Sequence, residues 1–346
     1  MNIFDLVTAR EIATYYSNNP SNDIMPLGET LFPSRKGLGL DLSWIKGSKG
    51  LPVALMPSAF DVKATIRDRI GFDKVQTEMP FFKESMTINE KERQELNKAV
   101  NSLNSEMYTP VLQKIYDDIS NLVEGADVQT ERMRMQLLST GKISISANGV
   151  AYDYNYKMKA DHMETLLTTS KWSDLANSDP IEDIIEWSDK IEEDEGERPT
   201  RAICSRKTFK YIMGNEKIKA AILRTKSILG VTESIIKSYV EEMTGVKIAI
   251  YSKKYALSDG SVHAYFPDNV FTLIPDGNLG NTWYGTTPEE SDLMTGGTDA
   301  QVEIVNTGVA VTTTKQTDPV NVNTKVSMIA LPSFESIDKI FIGTVA

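Results

Sequence analysis

An apolar stripe at helical spacing constrains the fold of this chain more than any other feature. Asn89 and Glu92 have the spacing of a capping box, which predicts that a helix begins there. Apolar residues then recur every three or four positions, and they are Leu96, Val100, Leu103, Met107, Val111, Ile115, Ile119 and Leu122. Pro110 and Gly125 are expected to interrupt the helix, and Gly141 to end it. The pattern predicts a long, interrupted helical spine.

Strand and helix signals follow the spine in separate blocks. Residues 142–147 and 150–156 alternate around Asn148-Gly149, which predicts a β-hairpin. Helix and strand patterns mix between about 171 and 297, and Asp179-Pro180 is expected to start an acidic helix there. From Ala300 onward the segments are strand-like. We therefore expect an α+β protein whose β-rich tail returns to the first domain after a compact α/β unit.

Length and composition exclude several classes of protein. The 346 residues suit about two domains, and 40% hydrophobic with 25% charged residues is typical of a globular chain. The longest apolar runs are a handful of residues, whereas a membrane-spanning helix needs about 20. We also expect no secretory signal. The one cysteine, Cys204, excludes an internal disulfide framework and is expected to be a small buried hydrophobe, which fits a reducing cytoplasm.

Charge is unevenly distributed along the chain. The formal net charge is −11. Residues 35–74 contain eight basic and four acidic residues, a balance of +4, whereas residues 173–197 contain eleven acidic residues and one lysine, a balance of −10. An acidic chain is a poor candidate for nonspecific binding to nucleic acid, which depends on neutralising phosphates. The two segments could instead attract each other across a subunit contact.

The residues before the spine suggest an arm and a long loop. A short helix is expected around residues 4–16, and Leu31-Phe-Pro33 is expected to be extended. Residues 34–82 contain glycines interspersed with apolar residues, which predicts an unusually long loop or hairpin. Long ordered loops usually have a function or a partner, and these apolar residues need a surface that another subunit could supply.

No motif in the chain carries recognisable catalytic chemistry. Phosphate-binding glycine loops, a nucleophile elbow and a His-Glu-x-x-His pair are all absent from the sequence. The carboxylates at 192–197 lack the ligand pattern of a calcium loop and are expected to be a solvated helix end. His162 and His263 are expected to be ordinary surface or hydrogen-bonded residues. We therefore expect no catalytic residues, no cofactor and no metal site.

Several stretches of the chain form a recognisable set when they are taken in order. They are residues 131–142, Glu-Arg-Met-Arg-Met-Gln-Leu-Leu-Ser-Thr-Gly-Lys, then Trp172 with Asp179-Pro180 and Asp183-Ile184, then Phe266-Pro-Asp-Asn-Val270 with Tyr284-Gly285, and residues 320–332. This set resembles the lambda-type capsid protein E family of tailed bacteriophages. The first stretch resembles the end of that family's spine helix, and the second its Trp…Asp-Pro-x-x-Asp-Ile signature. The third resembles its Leu-Pro-Asp-Asn and Tyr-Gly segments, and the last its closing strand.

The resemblance implies the tailed-phage major capsid fold of the HK-ninety-seven type. Its parts would be an N-terminal arm, an extended loop, a peripheral domain with spine helix and hairpin, an axial α/β domain, and return strands of the peripheral domain. The corresponding ranges would be 1–33, 34–82, 83–170, 171–297 and 298–346.

The same resemblance implies a major capsid protein that self-assembles into hexamers and pentamers of an icosahedral shell around packaged double-stranded DNA. Its partners would be other copies of itself, a scaffolding protein during assembly, a portal, a decoration protein in some members, and DNA held without specificity. The protein would not be an enzyme, would reside in the virion and would assemble in the host cytoplasm. We expect little trimming of the N-terminus.

Charged and apolar residues of the two oppositely charged segments are our candidates for subunit contacts. They are Arg35, Lys36, Trp44, Lys46, Lys49, Lys63, Arg67, Arg69, Asp183, Glu186, Glu192 and Glu193. The hypothesis is that the basic loop docks against the acidic segment, or the acidic spine, of an adjacent subunit.

Other functions compete with this interpretation. An encapsulin-type compartment shell shares the fold but encloses a cargo enzyme. A carboxylate-dependent hydrolase would use the acids of 179–197, and it would lose activity when Asp183 and Glu186 are changed to Ala. A structural monomer would have to hide the apolar loop internally.

Overall fold

The computed structural model contains both helices and sheets, and it describes residues 7–19, 25–46, 73–101, 105–147, 149–225, 230–296, 300–317 and 320–346. The helices are α1 (Ala9–Ser17), α2 (Leu27–Leu31), α3 (Glu90–Asn101), α4 (Ser105–Thr140), α5 (Pro180–Glu195), α6 (Arg206–Gly214), α7 (Glu216–Thr225), α8 (Glu233–Thr244) and α9 (Pro288–Thr295). The strands are β1 (Ser34–Lys36), β2 (Asp41–Lys46), β3 (Asp73–Glu78), β4 (Phe81–Ile88), β5 (Lys142–Ala147), β6 (Val150–Asn155), β7 (Met163–Thr165), β8 (Arg201–Cys204), β9 (Lys247–Ile250), β10 (Lys254–Ala256), β11 (Val262–Ala264), β12 (Val270–Ile274), β13 (Thr282–Tyr284), β14 (Gln301–Val305), β15 (Val309–Thr317), β16 (Val320–Pro332) and β17 (Phe341–Thr344). Short 3₁₀ turns lie at Ala160–His162, Thr168–Ser170 and Ile337–Lys339. This mixture confirms the predicted α+β class.

Contacts within the chain divide it into two compact units. The first unit comprises residues 1–43, 76–133 and 281–333, and the second comprises residues 44–75, 134–280 and 334–346. The predicted peripheral and axial domains are defined by position in a shell rather than by contacts within one chain. Their boundaries therefore remain a prediction.

The first unit is organised around one sheet. Its strand order is β1-β13-β16-β15-β14, and β4 pairs with residues 322–329 of β16. The last long strands, β14 to β16, form an antiparallel meander, which places the β-rich tail beside elements from the start of the chain. Helix α1 packs against β14 and β15.

The second unit has its own sheet, with strand order β7-β17-β12-β8-β9. The outer pairs β7–β17 and β8–β9 are parallel, and the two inner pairs are antiparallel. Helix α5 packs against β17 and α8. The core between helices and sheet is apolar, and Cys204 is fully buried within it, as predicted. Burial also raises the pKa of the Cys204 thiol to about 12, so the group is a neutral packing element.

Helix α4 corrects the expected positions of the interruptions in the spine, and residues 102–104 between α3 and α4 lie outside the described part of the chain. It runs through both Pro110 and Gly125 and ends before Gly141, whose φ is +66°. Pro110 lies near the first turns, where a proline removes at most one early hydrogen bond and leaves the rest of the helix intact. Gly125 costs about 1 kcal/mol relative to alanine. Burial of its neighbours Val123 and Ala126 offsets that cost, because tertiary packing supplies most of a helix's stability.

Local capping signals are confirmed. The Asn89 side chain accepts the backbone N–H of Glu92 at 3.0 Å, and the Glu92 carboxylate accepts the Asn89 N–H at 3.1 Å. Strands β5 and β6 pair in register around the turn, where Gly149 has a φ of +77°. Asp179 caps α5 through the N–H of Glu182, as the Asp-Pro dipeptide predicted. These signals act within a few residues, so sequence alone specifies them.

The segment before α3 differs in part from the prediction. Leu31 ends the short helix α2 instead of being extended, and its side chain is buried. The long loop predicted at 34–82 has a two-stranded base, because β2 pairs with β3. The backbone N–H of Met79 donates to the carbonyl of Leu40 at 2.9 Å and continues that pairing. The residues between the two strands lie outside the described part of the chain.

Candidate functional site

The two basic residues of β1 have different surroundings. The Lys36 ammonium lies 2.5 Å from a carboxylate oxygen of Glu290 and donates to the carbonyl of Gly285 at 2.9 Å. Glu290 is buried, so this ion pair links β1 to α9 within the first unit. Arg35 is exposed, opposite Trp283 in the pairing of β1 with β13. Both side chains reach the surface, but the charge of Lys36 is paired within the chain, whereas Arg35 forms no ion pair with another described residue.

The remaining candidates from the basic segment are only partly described. Trp44 is 6% exposed, and its ring lies 5.4 Å from the ring of Tyr156. Trp44 is therefore already packed within its own chain. Lys46 ends β2, and its side chain lies outside the described residues. The other predicted contacts of this segment also lie outside them, and they are Lys49, Lys63, Arg67 and Arg69.

The four acidic candidates all lie on α5, but their surroundings differ. Glu192 is exposed and accepts a hydrogen bond from the Arg198 guanidinium at 2.8 Å. Glu186 and Glu193 are exposed, and neither forms an ion pair with another described residue. They are seven positions apart, or about two turns, so they lie on one helix face. Asp183 is only half-buried and points into the second unit.

The Asp183 carboxylate is part of the core of the second unit. The Trp172 indole N–H donates to its Oδ2 at 2.7 Å. Burial raises the pKa of Asp183 to about 6; the Trp172 hydrogen bond opposes this shift, and the negative charges of Glu186 and Glu164 add to it. The Asp183 carboxylate is therefore engaged inside its own unit, which makes it a weaker candidate for a subunit contact.

The tryptophan of the signature anchors an aromatic cluster. Trp172 is fully buried, stacks on Trp187 at 5.9 Å between ring centroids and meets Phe271 edge-on at 5.1 Å. Its backbone N–H donates to the carbonyl of Val345 at 2.7 Å, which ties it to the end of the chain. A second indole–carboxylate bond joins Trp187 Nε1 to Glu164 at 2.6 Å.

The Pro-Asp-Asn segment forms a corner before β12. Asn269 has a φ of +66°, a conformation that asparagine tolerates better than most residues. Its N–H donates to the Thr208 hydroxyl at 2.9 Å, and its side-chain oxygen accepts from the Tyr211 hydroxyl at 3.1 Å. Asp268 accepts the Ser205 hydroxyl at 2.6 Å. These bonds connect the corner to the start of α6.

The Tyr-Gly segment is a site of close packing in the first unit. A Cβ at Gly285 would lie 2.6 Å from the carbonyl oxygen of Gly39 and 2.8 Å from side-chain carbons of Ile329 and Met79. Only glycine fits there without movement of the backbone. Tyr284, its neighbour, is buried. Each signature therefore has a role in folding.

The end of α4 is buried in the same way. Met133, Leu137 and Leu138 are fully buried, and the Thr272 hydroxyl donates to the carbonyl of Leu138 at 2.7 Å. Glu131 is also buried and accepts the backbone N–H of Gly28 at 3.1 Å. Glu131 and Arg134 are thus interior residues, whereas Lys142 at the start of β5 is exposed.

Much of the acidic segment is neutralised within its own chain. The Arg198 guanidinium contacts Asp189 as well as Glu192, and the Lys159 ammonium lies 2.6 Å from Glu195. Lys339 contacts Glu197. The expectation of a solvated helix end holds for Glu192 and Glu197 but not for Glu195, whose side chain is only 5% exposed. No sequence pattern indicated the cations that meet these acids.

His162 is hydrogen-bonded, one of the two expected alternatives, but its burial was not predicted. This residue is fully buried, and its Nε2 lies 2.9 Å from Asp194 Oδ2. The hydrogen bond from His162 and the charge of Lys159 lower the pKa of Asp194. Oxygens of Asp161 and Asp194 and a ring nitrogen of His162 all lie within 4.8 Å of one another. No local pattern joins residues that are so far apart in the chain.

The N-terminal helix is attached to the first unit by tyrosines. Tyr16 is 4% exposed and donates its hydroxyl to Asp127 of α4. Burial and the Asp127 charge raise the pKa of the Tyr16 hydroxyl well above its ordinary value. The neighbouring Tyr15 donates to Asp117 at 2.5 Å and stacks on Tyr116. Helix α1 of the predicted arm is therefore packed against α4.

Comparison with known proteins adds the family. A family model described as "Phage major capsid protein E" matches residues 8–345. The chain belongs to the phage major capsid protein E family. It is a capsid shell protein, and its place is the capsid of the virion. This confirms the family resemblance and favours the virus over the encapsulin alternative.

Solved structures support the fold of this capsid protein. A protein described as the capsid protein of a prophage in E. coli CFT073 superposes with a TM-score of 0.62 at 15% identity, covering 98% of this chain and 99% of its own. A phage-related protein from Bordetella bronchiseptica RB50 superposes with a TM-score of 0.55 at 14% identity, covering 98% of each chain. No curated protein matches the chain. None of the described helices combines the length and apolarity needed to cross a bilayer.

Proposed function

We propose that this capsid protein assembles as hexamers and pentamers of an icosahedral shell that encloses packaged double-stranded DNA. The observation that carries the proposal is the family match, which spans residues 8–345. The signature residues agree with it, because those described above serve hydrogen bonding and packing. Family membership points to a structural role, and we propose that the protein is not an enzyme.

We further propose the division of labour that the family resemblance implies. Residues 83–170 and 298–346 would form the peripheral domain, 171–297 the axial domain, and 34–82 an extended loop that reaches over a neighbouring subunit. The root of that loop supports this, because Leu38 is 85% exposed and Leu40 is 46% exposed. Apolar side chains so open to water need a covering surface, and a second copy of the chain would supply one.

Charge would guide the loop to its neighbour. Lys46, Lys49 and Lys63 lie in the basic segment, and Glu186 and Glu193 form an exposed acidic face on α5 of the adjacent copy. Reversal of the three lysines to Glu is expected to reduce the yield of closed particles, more strongly at low salt, where such attractions are least screened. Electron microscopy and sedimentation would measure that yield.

The matched control is the triple Lys→Arg variant, which keeps the charge and should assemble normally. When Glu186→Lys and Glu193→Lys are added to the triple Lys→Glu variant as compensating substitutions, the yield of closed particles should be restored. Normal particles from the Lys→Glu variant would refute the charge contact. Failure of the compensating variant would instead exclude these two carboxylates as the partners.

The remaining partners follow from the same proposal. A scaffolding protein would direct assembly in the host cytoplasm, a portal would occupy one vertex, and a decoration protein could bind outside. Packaged DNA would be held without specificity. The formal charge of −11 would repel the genome and keep it mobile for ejection.

Electron microscopy of the purified chain tests the assembly directly. The chain would be expressed alone and then together with the proteins encoded beside it. Closed shells, or rings with five- or six-fold symmetry, are the expected result, and shells that form only in co-expression would indicate dependence on a scaffold. A monodisperse monomer under every condition would overturn the proposal.

A further inference from the structure

The base of the predicted extended loop is a small hairpin that needs support from other residues. Strands β2 and β3 pair with each other and with no third strand among those described. A two-stranded sheet is marginally stable in water, so its stability depends on what its side chains pack against. Leu38 and Leu40, which precede β2, are exposed. Among the described side chains of the two strands, only Leu42 and Trp44 are buried.

Trp44 packs on a ring that is itself fixed in the second unit. The centroids of the Trp44 and Tyr156 rings lie 5.4 Å apart, and the ring planes are tilted by 31°. Tyr156 is buried, and its backbone N–H donates to the carbonyl of Gly141 at 3.4 Å. Gly141 directly follows α4, so the ring under Trp44 is attached to the end of the longest helix described.

The indole N–H plays no part in this contact. Trp44 Nε1 is buried and has no hydrogen-bond partner among the described residues. An unpaired buried donor costs free energy, so packing of the ring must hold the side chain in place. Trp172 and Trp187 differ from it, because each donates its indole N–H to a carboxylate. The position of Trp44 therefore uses the area and shape of the ring.

We propose that Trp44 is a positioning residue for assembly, whose packing on Tyr156 sets the direction in which the extended loop leaves the chain toward a neighbouring copy. The inference rests on the proposed function, in which residues 34–82 reach over an adjacent subunit. Trp44 would act inside its own chain, a different role from the subunit contact predicted from sequence. A loop whose base is already oriented loses less conformational entropy when it meets its partner.

Hydrogen exchange and particle yield of Trp44→Ala in the full-length chain test this role. Exchange of the β2 and β3 amides in the unassembled subunit should become at least about tenfold faster, while the amides of β12 exchange as in the parent. The yield of closed particles should fall by at least about tenfold under the conditions that assemble the parent, because the loop base is no longer oriented. Sedimentation and electron microscopy would measure that yield.

Two matched variants separate the ring contact from other effects. Trp44→Phe keeps an aromatic ring on Tyr156 and removes the unpaired N–H, so it should retain both the slow exchange and the particles of the parent. Ser43→Ala alters the exposed face of the same strand and should also match the parent. If Trp44→Ala does not fold, Trp44→Leu takes its place, since it keeps apolar bulk without the ring and should show the same two losses.

Several outcomes would overturn the inference. Unchanged exchange of β2 and β3 in Trp44→Ala would do so, and so would faster exchange with a normal yield of particles. Loss of particles in Trp44→Phe would show that the N–H is required, which contradicts a role through packing. A parent chain that yields no particles would instead refute the proposed shell function, and the positioning role with it.

Discussion

In both compact units a helix is held by a hydrogen bond from an aromatic side chain to a carboxylate, but the bonds differ in how deeply they are buried. In the second unit, fully buried Trp172 donates to Asp183 of α5 and stacks within an aromatic cluster. In the first unit, Tyr16 of α1 donates to Asp127, and Tyr15 donates to Asp117 nearer the surface. The bond type is similar, so any difference in effect should come from burial.

The comparison suggests that α5 is integral to its unit and α1 is a more easily detached element. Loss of the indole would empty a large volume and leave a half-buried carboxylate without its donor. Loss of a tyrosine hydroxyl removes one hydrogen bond and keeps the ring in place. Urea unfolding of the unassembled subunit, followed by circular dichroism, can rank these contributions.

The largest effect is expected from Trp172→Ala. Truncation of a buried tryptophan should lower the free energy of unfolding by about 3–5 kcal/mol, since a cavity replaces its packing. Trp283→Ala in the first unit is the matched control, because Trp283 is only partly buried and should cost less. Equal losses of unfolding free energy at the two positions would contradict the claim that the degree of burial determines the size of the effect.

A smaller, pH-dependent effect is expected at Asp183. Its pKa of about 6 in the folded chain exceeds the ordinary 3.8. The folded state therefore binds the proton more tightly, and this contribution to stability is lost as pH rises from about 4 through about 6. Asp183→Asn keeps an acceptor for Trp172 but does not titrate. Between pH 4 and pH 7 the free energy of unfolding of the parent should therefore fall by about 1–2 kcal/mol more than that of the variant, allowing for the partial exposure of Asp183.

The exposed acid Asp153 provides a control for this titration. Asp153→Asn makes the same chemical change on the surface of β6, where the side chain is exposed. If Asp183→Asn behaves like Asp153→Asn, the carboxyl of Asp183 is not held in the environment described for it.

The smallest effects are expected at the tyrosines of α1. Tyr16→Phe should destabilise the first unit by about 1 kcal/mol, because it removes a donor from a partly buried carboxylate. Tyr15→Phe should cost less than about 0.5 kcal/mol, since exposed hydrogen bonds exchange readily with water. Hydrogen exchange of the α1 amides would localise both effects, and a larger loss from Tyr15→Phe would reverse the proposed order.

Local signals made much of the fold predictable from sequence. The capping pair at Asn89, the hairpin turn at Gly149 and the start of α5 at Asp179 each depend on neighbours within a few residues. The predictions at Pro110 and Gly125 were wrong because the free-energy cost of each residue in a helix is smaller than the stabilisation that α4 gains from packing. Helices α6 and α7 are separated at Asn215, whose buried side chain donates a hydrogen bond to the distant Ser178.

The candidate surfaces were less predictable because long-range pairing decides which charges are free. Lys36 reaches Glu290, and Arg198 folds back onto α5, so a count of charges overstated the exposed charge. Asp183 looked like a surface acid in sequence, yet an indole holds it in the second unit. The family resemblance succeeded because it rests on residues that fix the fold, and of the candidate contact residues only Asp183 is among them.

The absence of a side chain at Gly343 restricts how this sequence can drift over time. A Cβ there would lie 2.4 Å from the ring of Trp187, so β17 and α5 meet with no space between them. Neither position can enlarge alone, and a smaller residue at 187 would open a void unless 343 grew at the same time. Related chains should therefore show the two positions changing as a pair, a covariation that an alignment would expose without any experiment on the protein.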